Sequence, residues 1–259
     1  MSLLNGKKGK DLGFSDFVSS AIRGLFMPAF SLPIILLGVA VGYATDLVLK
    51  PILVDGFENA GELGAAAGPL ATASGISIIT GIFIAVYGQI YGSLATSAKG
   101  STPTIGETFA VIGQRGLSVF TAGLLVTIAT VGIFIVGLVV VIGGAFAANA
   151  GGVTTGLFIS FLVVFTYLSM RLGQAGWFAA DGMGAIDSIK ASWSGTQGHL
   201  LKIFFWSAGG VLVFAAVGAL IGLLTSSLPE EIGSSIGTGV GLVFTYASGS
   251  VLYRRITAK

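Results

Sequence analysis

The side chains able to do chemistry are few, and their spacing decides what they can do. Asp55, Glu58 and Glu62 recur at i, i+3 and i+7, with Glu230 and Glu231 as further carboxylates. Oxygen ligands of this kind suit a hard cation. Gly56, Gly61 and Gly64 argue against a regular helix there, so the expectation is a solvated acidic loop with no metal. His199 is the single histidine. Bis-histidine haem needs a second axial ligand, so no cofactor is expected and His199 reads as an interfacial residue heading an apolar run. Serine nucleophiles lack a base in any recognisable triad. Gly182-Met183-Gly184 has no strand before it, which removes the dinucleotide fingerprint. The expected outcome is no catalytic residue and no enzyme.

Four polar positions remain. Gln89 stands between Tyr87 and Tyr91 inside an apolar run, and Arg171, Gln174 and Asp181 gather near the end of another. Polar groups at membrane depth are costly and often line a substrate path. Arg171 is close enough to a run's end to snorkel or to form a structural pair. Interhelical hydrogen bonding is the ordinary use of a glutamine such as Gln89.

The elements that must hold these residues follow from composition. Of 259 residues, 54% are hydrophobic and 9% charged, and the mean hydropathy is +0.95. A soluble domain carries about 25% charged residues. So few charges cannot cover a water-facing surface, so most of the exterior must meet lipid. The absence of cysteine removes disulfides and thiolate metal sites. A net charge of +2 gives no reason to expect nucleic acid as a partner.

Six apolar runs are long enough to span hydrocarbon, at 25–49, 72–96, 117–146, 153–173, 200–224 and 232–252. The chain thus reads as one all-α polytopic membrane domain over 1–259, its first span bent or broken by Pro28 and Pro33. That span is expected to stay uncleaved and act as its own targeting signal. With the N-terminus inside, Lys7, Lys8, Lys10, Arg23, Lys99, Arg115, Arg171, Lys190, Lys202, Arg254, Arg255 and Lys259 all fall on one side. Only Lys50, of the 13 basic residues, falls outside. Asp46, Asp55, Glu58, Glu62, Glu230 and Glu231 occupy the outer loops. This asymmetry predicts a cytoplasmic membrane with both termini cytoplasmic.

Short amphipathic stretches precede the odd-numbered spans. The first carries Phe14, Phe17, Val18, Ala21, Ile22 and Leu25 on one helical face, with Ser15 as its expected N-cap. The second opens Thr104-Ile105-Gly106-Glu107 after Pro103, a capping-box spacing, and continues with Phe109 and Ile112. The third places Met183, Ile186, Ile189 and Trp193 together before Gly195 and Gly198. Three parallel units over 12–98, 102–176 and 181–253, each an interfacial helix followed by a hairpin, account for this recurrence. Phe17 and Trp193 are expected at the lipid interface. Gly233, Gly237 and Gly241, with the pairs Gly88/Gly92 and Gly218/Gly222, are expected where helices touch.

The stretch AGWFAADGMGAIDSIKASWSGTQGHLLKIFF over 175–205 carries Asp181, Ala185-Ile186, Ser192-Trp193, Gly198 and Lys202. It resembles the signature of a broad group of six-span prokaryotic membrane proteins of unknown function. That group includes the membrane domain fused to some glycerophosphodiester phosphodiesterases. Gly195-Thr196-Gln197 stands where the group has a basic residue after the tryptophan. The resemblance implies architecture and no reaction, since the sequence holds no soluble phosphodiesterase domain. The functional expectation is an accessory or assembly subunit, partnered by the bilayer and by other membrane subunits or itself. The alternative is a transporter or lipid-handling protein with a path near Gln89 and Arg171.

Overall fold

A computed structural model describes residues 3–4, 9–55, 63–97, 102–148 and 151–258. Every regular element among them is helical: a 3-10 turn over Gly9–Asp11, then α1 (Phe14–Leu25), α2 (Pro28–Asp55), α3 (Leu63–Thr96), α4 (Ile105–Ala148), α5 (Gly151–Leu172), α6 (Ala175–Ala180), α7 (Ala185–Gly195), α8 (Leu200–Leu224) and α9 (Glu230–Thr257). Five helices are long and apolar enough to cross a bilayer, and the bent pair α1–α2 makes a sixth candidate. The protein is an all-α polytopic membrane protein. Of the acidic loop, Glu58 and Glu62 lie outside the described residues; Asp55 closes α2, and Glu230 and Glu231 open α9. Lys7, Lys8, Lys99 and Lys259 lie outside them too.

Helix boundaries follow local chemistry. Proline disfavours helical geometry in the residue before it but suits a helix's first position. Accordingly α1 stops at Leu25, α2 starts at Pro28, and the two meet at 76°. Gly13, rather than Ser15, caps α1: its N–H donates to the Asp16 carboxylate at 2.9 Å, and Ser15 falls inside the helix. The capping box at α4 forms as expected. Thr104 N–H donates to Glu107 Oε2 at 2.7 Å, and Glu107 N–H donates to Thr104 Oγ1 at 3.1 Å. The Thr104 amide and hydroxyl bonds hold the exposed Glu107 carboxyl below its usual range, well ahead of the apolar run starting at Leu117.

The second amphipathic stretch differs from expectation. It forms the opening turns of α4, which runs unbroken for 44 residues. That is roughly 66 Å, about twice the hydrocarbon thickness. No proline lies within it, and Gly113 and Gly116 keep helical geometry. The third stretch does separate, because Gly198 takes φ +80° between α7 and α8.

Contacts divide the chain into two units, Met1–Ile112 with Trp206–Lys259, and Gly113–Phe205. In the first unit α9 packs against α1, α2 and α3. Met27, Phe30, Ile34, Ile84, Tyr87, Tyr91, Val243 and Ala247 form its core. Gly38 and Gly42 of α2 face Ser235 and Gly239 of α9. A Cβ on Gly38 would lie 2.9 Å from the Gly239 Cα, and one on Gly42 would lie 2.6 Å from Ser235 Oγ. A Gly-x-x-x-Gly pair thus meets Ser-x-x-x-Gly, and absent side chains let the two backbones approach.

The N-terminal segment lies against α1 and the end of α9: Arg23 Nη1 of α1 donates to the Leu3 carbonyl at 3.0 Å, and Arg255 Nη1 of α9 donates to the Lys10 carbonyl. Arg254 also ties α9 to the last turn of α3, donating to the Ser93 carbonyl and to Thr96 Oγ1, both at 3.1 Å. A cation there suits the negative end of α3's dipole.

In the second unit α6 and α7 pack together, and α7 packs on α5. Aromatic rings fill the space between α4 and α5. Phe134 lies 5.8 Å from both Phe161 and Phe165, and Phe161 fills the space beside Gly137.

Candidate functional site

Arg171 sits in the last turn of α5, where its guanidinium meets α7. It lies 5.3 Å from the Tyr167 ring centre and 5.2 Å from that of Trp193. The two rings meet edge-on at 89°. Nη1 donates to the Trp193 carbonyl at 2.8 Å, and Nε donates to the Tyr167 hydroxyl at 3.2 Å. The buried Ser192 completes the contact, its hydroxyl donating to the Arg171 carbonyl at 2.6 Å. Arginine suits this position because its planar fork can stack and donate together. Trp193 stays 44% exposed.

Gln174 caps α6, its backbone carbonyl accepting from Trp177 N–H at 3.0 Å. Its side chain is buried, and Oε1 has no hydrogen-bond partner among the described residues. Asp181 closes α6. The basic residue at that turn is Arg115, whose Nη1 donates to the Ala180 carbonyl at 2.8 Å. Gly182 takes φ +105° beside the same guanidinium. Thus Arg171 and Trp193 come together, while Arg115 holds the end of α6. Arg171 and Arg115 fasten the short helices to the spans.

The clasp predicts a local effect. Arg171→Ala should cost about 1–2 kcal/mol, from a charge-assisted hydrogen bond and two partly exposed cation–π contacts. Amide exchange over 185–195 should accelerate, and Arg171→Lys should recover little, lacking the stacking plane. Unchanged exchange in Arg171→Ala would show that the clasp does not hold α7.

Gln89 belongs to the first unit and is half-buried on α3. The more connected residues there are its neighbours. Tyr91 stacks on Phe30 with ring centres 4.8 Å apart, and Tyr87 lies 6.0 Å from Phe109. The Tyr87 hydroxyl donates to the Ala29 carbonyl. That carbonyl sits four residues before Pro33, which has no N–H to offer it. Tyr87 supplies the missing donor. A proline inside a span is a sequence signal that a neighbouring helix must provide one.

The glycines expected at helix contacts differ among themselves, and one aromatic stands elsewhere than expected. Gly88 packs under the Tyr246 ring, Gly241 under Phe214, and Gly233 beside Thr225; Gly92 is buried. A Cβ on Gly218, Gly222 or Gly237 would meet open space. Gly237 lies two residues, about 200°, from the Ser235–Gly239 stripe and so faces away. Phe17 is 4% exposed instead of interfacial, because it packs against Trp206 at 5.5 Å. Phe14 and Ile22 take the outward positions of α1. His199 immediately precedes α8, where its carbonyl accepts from Ile203 N–H at 2.9 Å. Among the described residues, no cluster of acidic, histidine or cysteine side chains could hold a metal. Compared with family models, curated proteins and solved structures, the chain matches none.

Proposed function

We propose that this protein is a non-enzymatic component of a membrane assembly, binding another membrane-embedded chain or a second copy through the α4–α5 face. The observation that carries the reading is an apolar groove of about 630 Å³ along that face. Ile133, Val136, Val140, Leu157 and Val164 line it together with Gly132 and Gly137. Aromatic spacers hold α4 and α5 apart there, leaving room for side chains of a third helix. Apolar surface alone is equally content against lipid, so the groove's shape is what favours a helix.

The polar groups of the spans support the same reading. Thr127, Thr130, Thr225, Thr245 and Ser248 each donate to the carbonyl four residues earlier in their own helix. Their single donors are thus used within their own helices. A cytoplasmic-membrane location with both termini cytoplasmic belongs to the proposal. It is supported by the charge asymmetry and by the N-terminal segment meeting the last turn of α9 through Arg255.

Site-specific photo-crosslinking in intact membranes tests the reading. A photoreactive residue in place of Val136 or Val140 should yield a discrete heavier species, whereas one in place of Leu212 on α8 should label lipid only. Lipid labelling alone at all three positions would end the proposal.

A further inference from the structure

We propose that Arg171 and the outward face of α7 bind the phosphodiester of an anionic phospholipid in the headgroup layer. The site lies wholly in the second unit. Its helix carries its polarity the wrong way round for water. Ser188 and Ser192 of α7, and Thr196 just beyond it, are fully buried, each hydroxyl donating to a backbone carbonyl. Ile186, Lys190 and Trp193 fall within about 60° of one another on the other side of the helix. Ile186 is 63% exposed there, beside an exposed Trp193. An exposed apolar stripe carrying a lysine suits the boundary between acyl chains and headgroups.

The length of α5 sets the depth. Arg171 comes 20 residues after Gly151, the first residue of α5, and no charged residue stands between them. Those residues make about 30 Å of helix, the full hydrocarbon thickness. A guanidinium at the end of such a run sits among headgroups, the level at which Tyr167 and Trp193 are at home.

The guanidinium has donors to spare. Of its five N–H groups, Nε serves the Tyr167 hydroxyl and Nη1 the Trp193 carbonyl. Nη2 makes no hydrogen bond among the described residues and is not buried. Two rings and two hydrogen bonds fix the plane of the group, so its free edge is held in place. Such an edge suits the oxygens of a phosphate. Lys190 adds a second positive charge on the outward arc. Its ammonium lies 3.8 Å from Asp187, and both side chains are so exposed that the pair is weak. A phosphate can therefore compete for it. A free phosphate ion would use the cations alone, whereas a phospholipid also covers Ile186 and Trp193. The lipid is the occupant that meets the whole face.

The test adds dioleoylphosphatidylglycerol, dioleoylglycerol or sodium phosphate to delipidated, detergent-solubilised protein. It reads the rise in melting temperature and the lipid mass retained in native mass spectrometry. The two lipids share their acyl chains and differ by the phosphoglycerol group. Wild type should bind the phospholipid about 3- to 10-fold more tightly than dioleoylglycerol, and sodium phosphate should leave the melting temperature unchanged.

Arg171→Gln should abolish the preference for the phospholipid. That variant also loosens the contact between α5 and α7, so two exposed positions complete the test. Lys190→Gln should weaken phospholipid binding roughly 2- to 5-fold, and Asp187→Asn, which frees Lys190, should strengthen it. Lys10→Gln, in the other unit, should change nothing. Equal binding of the two lipids, a stabilisation by sodium phosphate equal to that by the phospholipid, or a preference retained in Arg171→Gln or Lys190→Gln would overturn the proposal. So would an equal loss in Lys10→Gln, which would mark general attraction between opposite charges.

Discussion

Gly239→Val should destabilise the protein by about 3 kcal/mol or more, while Gly237→Val on the same helix should change stability by less than about 0.5 kcal/mol. The contrast comes from what each new Cβ meets. At Gly239 it would lie 3.0 Å from the Ile35 Cα and 3.1 Å from the Ile35 carbonyl oxygen. Both are backbone atoms of α2, so the clash cannot be relieved by turning a side chain. The helices must separate, and the Gly38/Gly42 contact with Ser235/Gly239 opens along its length. At Gly237 nothing lies within 4 Å. Helix propensity changes alike in both variants, so their difference isolates packing. Thermal unfolding in one detergent, followed by tryptophan fluorescence, would measure it. Equal midpoints would mean that α2 and α9 are not held by close backbone approach.

The same helices show what a sequence can and cannot disclose. The spans were legible because each is a long apolar run, a property that needs no partner. The capping box was legible for the same reason, since Thr104 and Glu107 find each other within one turn. The bend before Pro28 follows from the steric habits of a single residue. Packing faces were less legible. The last helix has glycines at 233, 237 and 241 and a small pair at 235 and 239, on opposite sides of one cylinder. Only the position of α2, almost 200 residues away in sequence, decides which side meets another helix's backbone. Phe17 failed as an interfacial residue for a related reason: its neighbour Trp206 lies on a distant helix. The Arg171–Trp193 clasp was half legible, because both residues stood out but nothing in their spacing paired them. Tyr91 was passed over as a flank of Gln89, although the hydroxyl without a partner belongs to the tyrosine.

Tyr87→Phe should cost about 1–3 kcal/mol in the natural sequence and close to nothing in a Pro33→Ala background. Ordinarily the residue at 33 would donate its N–H to the Ala29 carbonyl, and proline cannot. The Tyr87 hydroxyl takes that place from α3, so removing it leaves a partly buried carbonyl unmatched. Phenylalanine preserves the ring's packing against Phe83 and Phe109, which keeps hydrophobic loss small. Alanine at 33 returns the N–H and closes the helical bond within α2. Tyr87 then becomes a second donor to a satisfied acceptor, and its loss is cheap. Pro33→Ala alone should be neutral or stabilising, since alanine favours a helix interior by up to about 3 kcal/mol over proline. The coupling between the two substitutions, about 1–2 kcal/mol from chemical or thermal unfolding of the four variants, is the quantity to measure. A coupling near zero would mean that Tyr87 contributes by ring packing alone and that α2 tolerates Pro33 without help from α3.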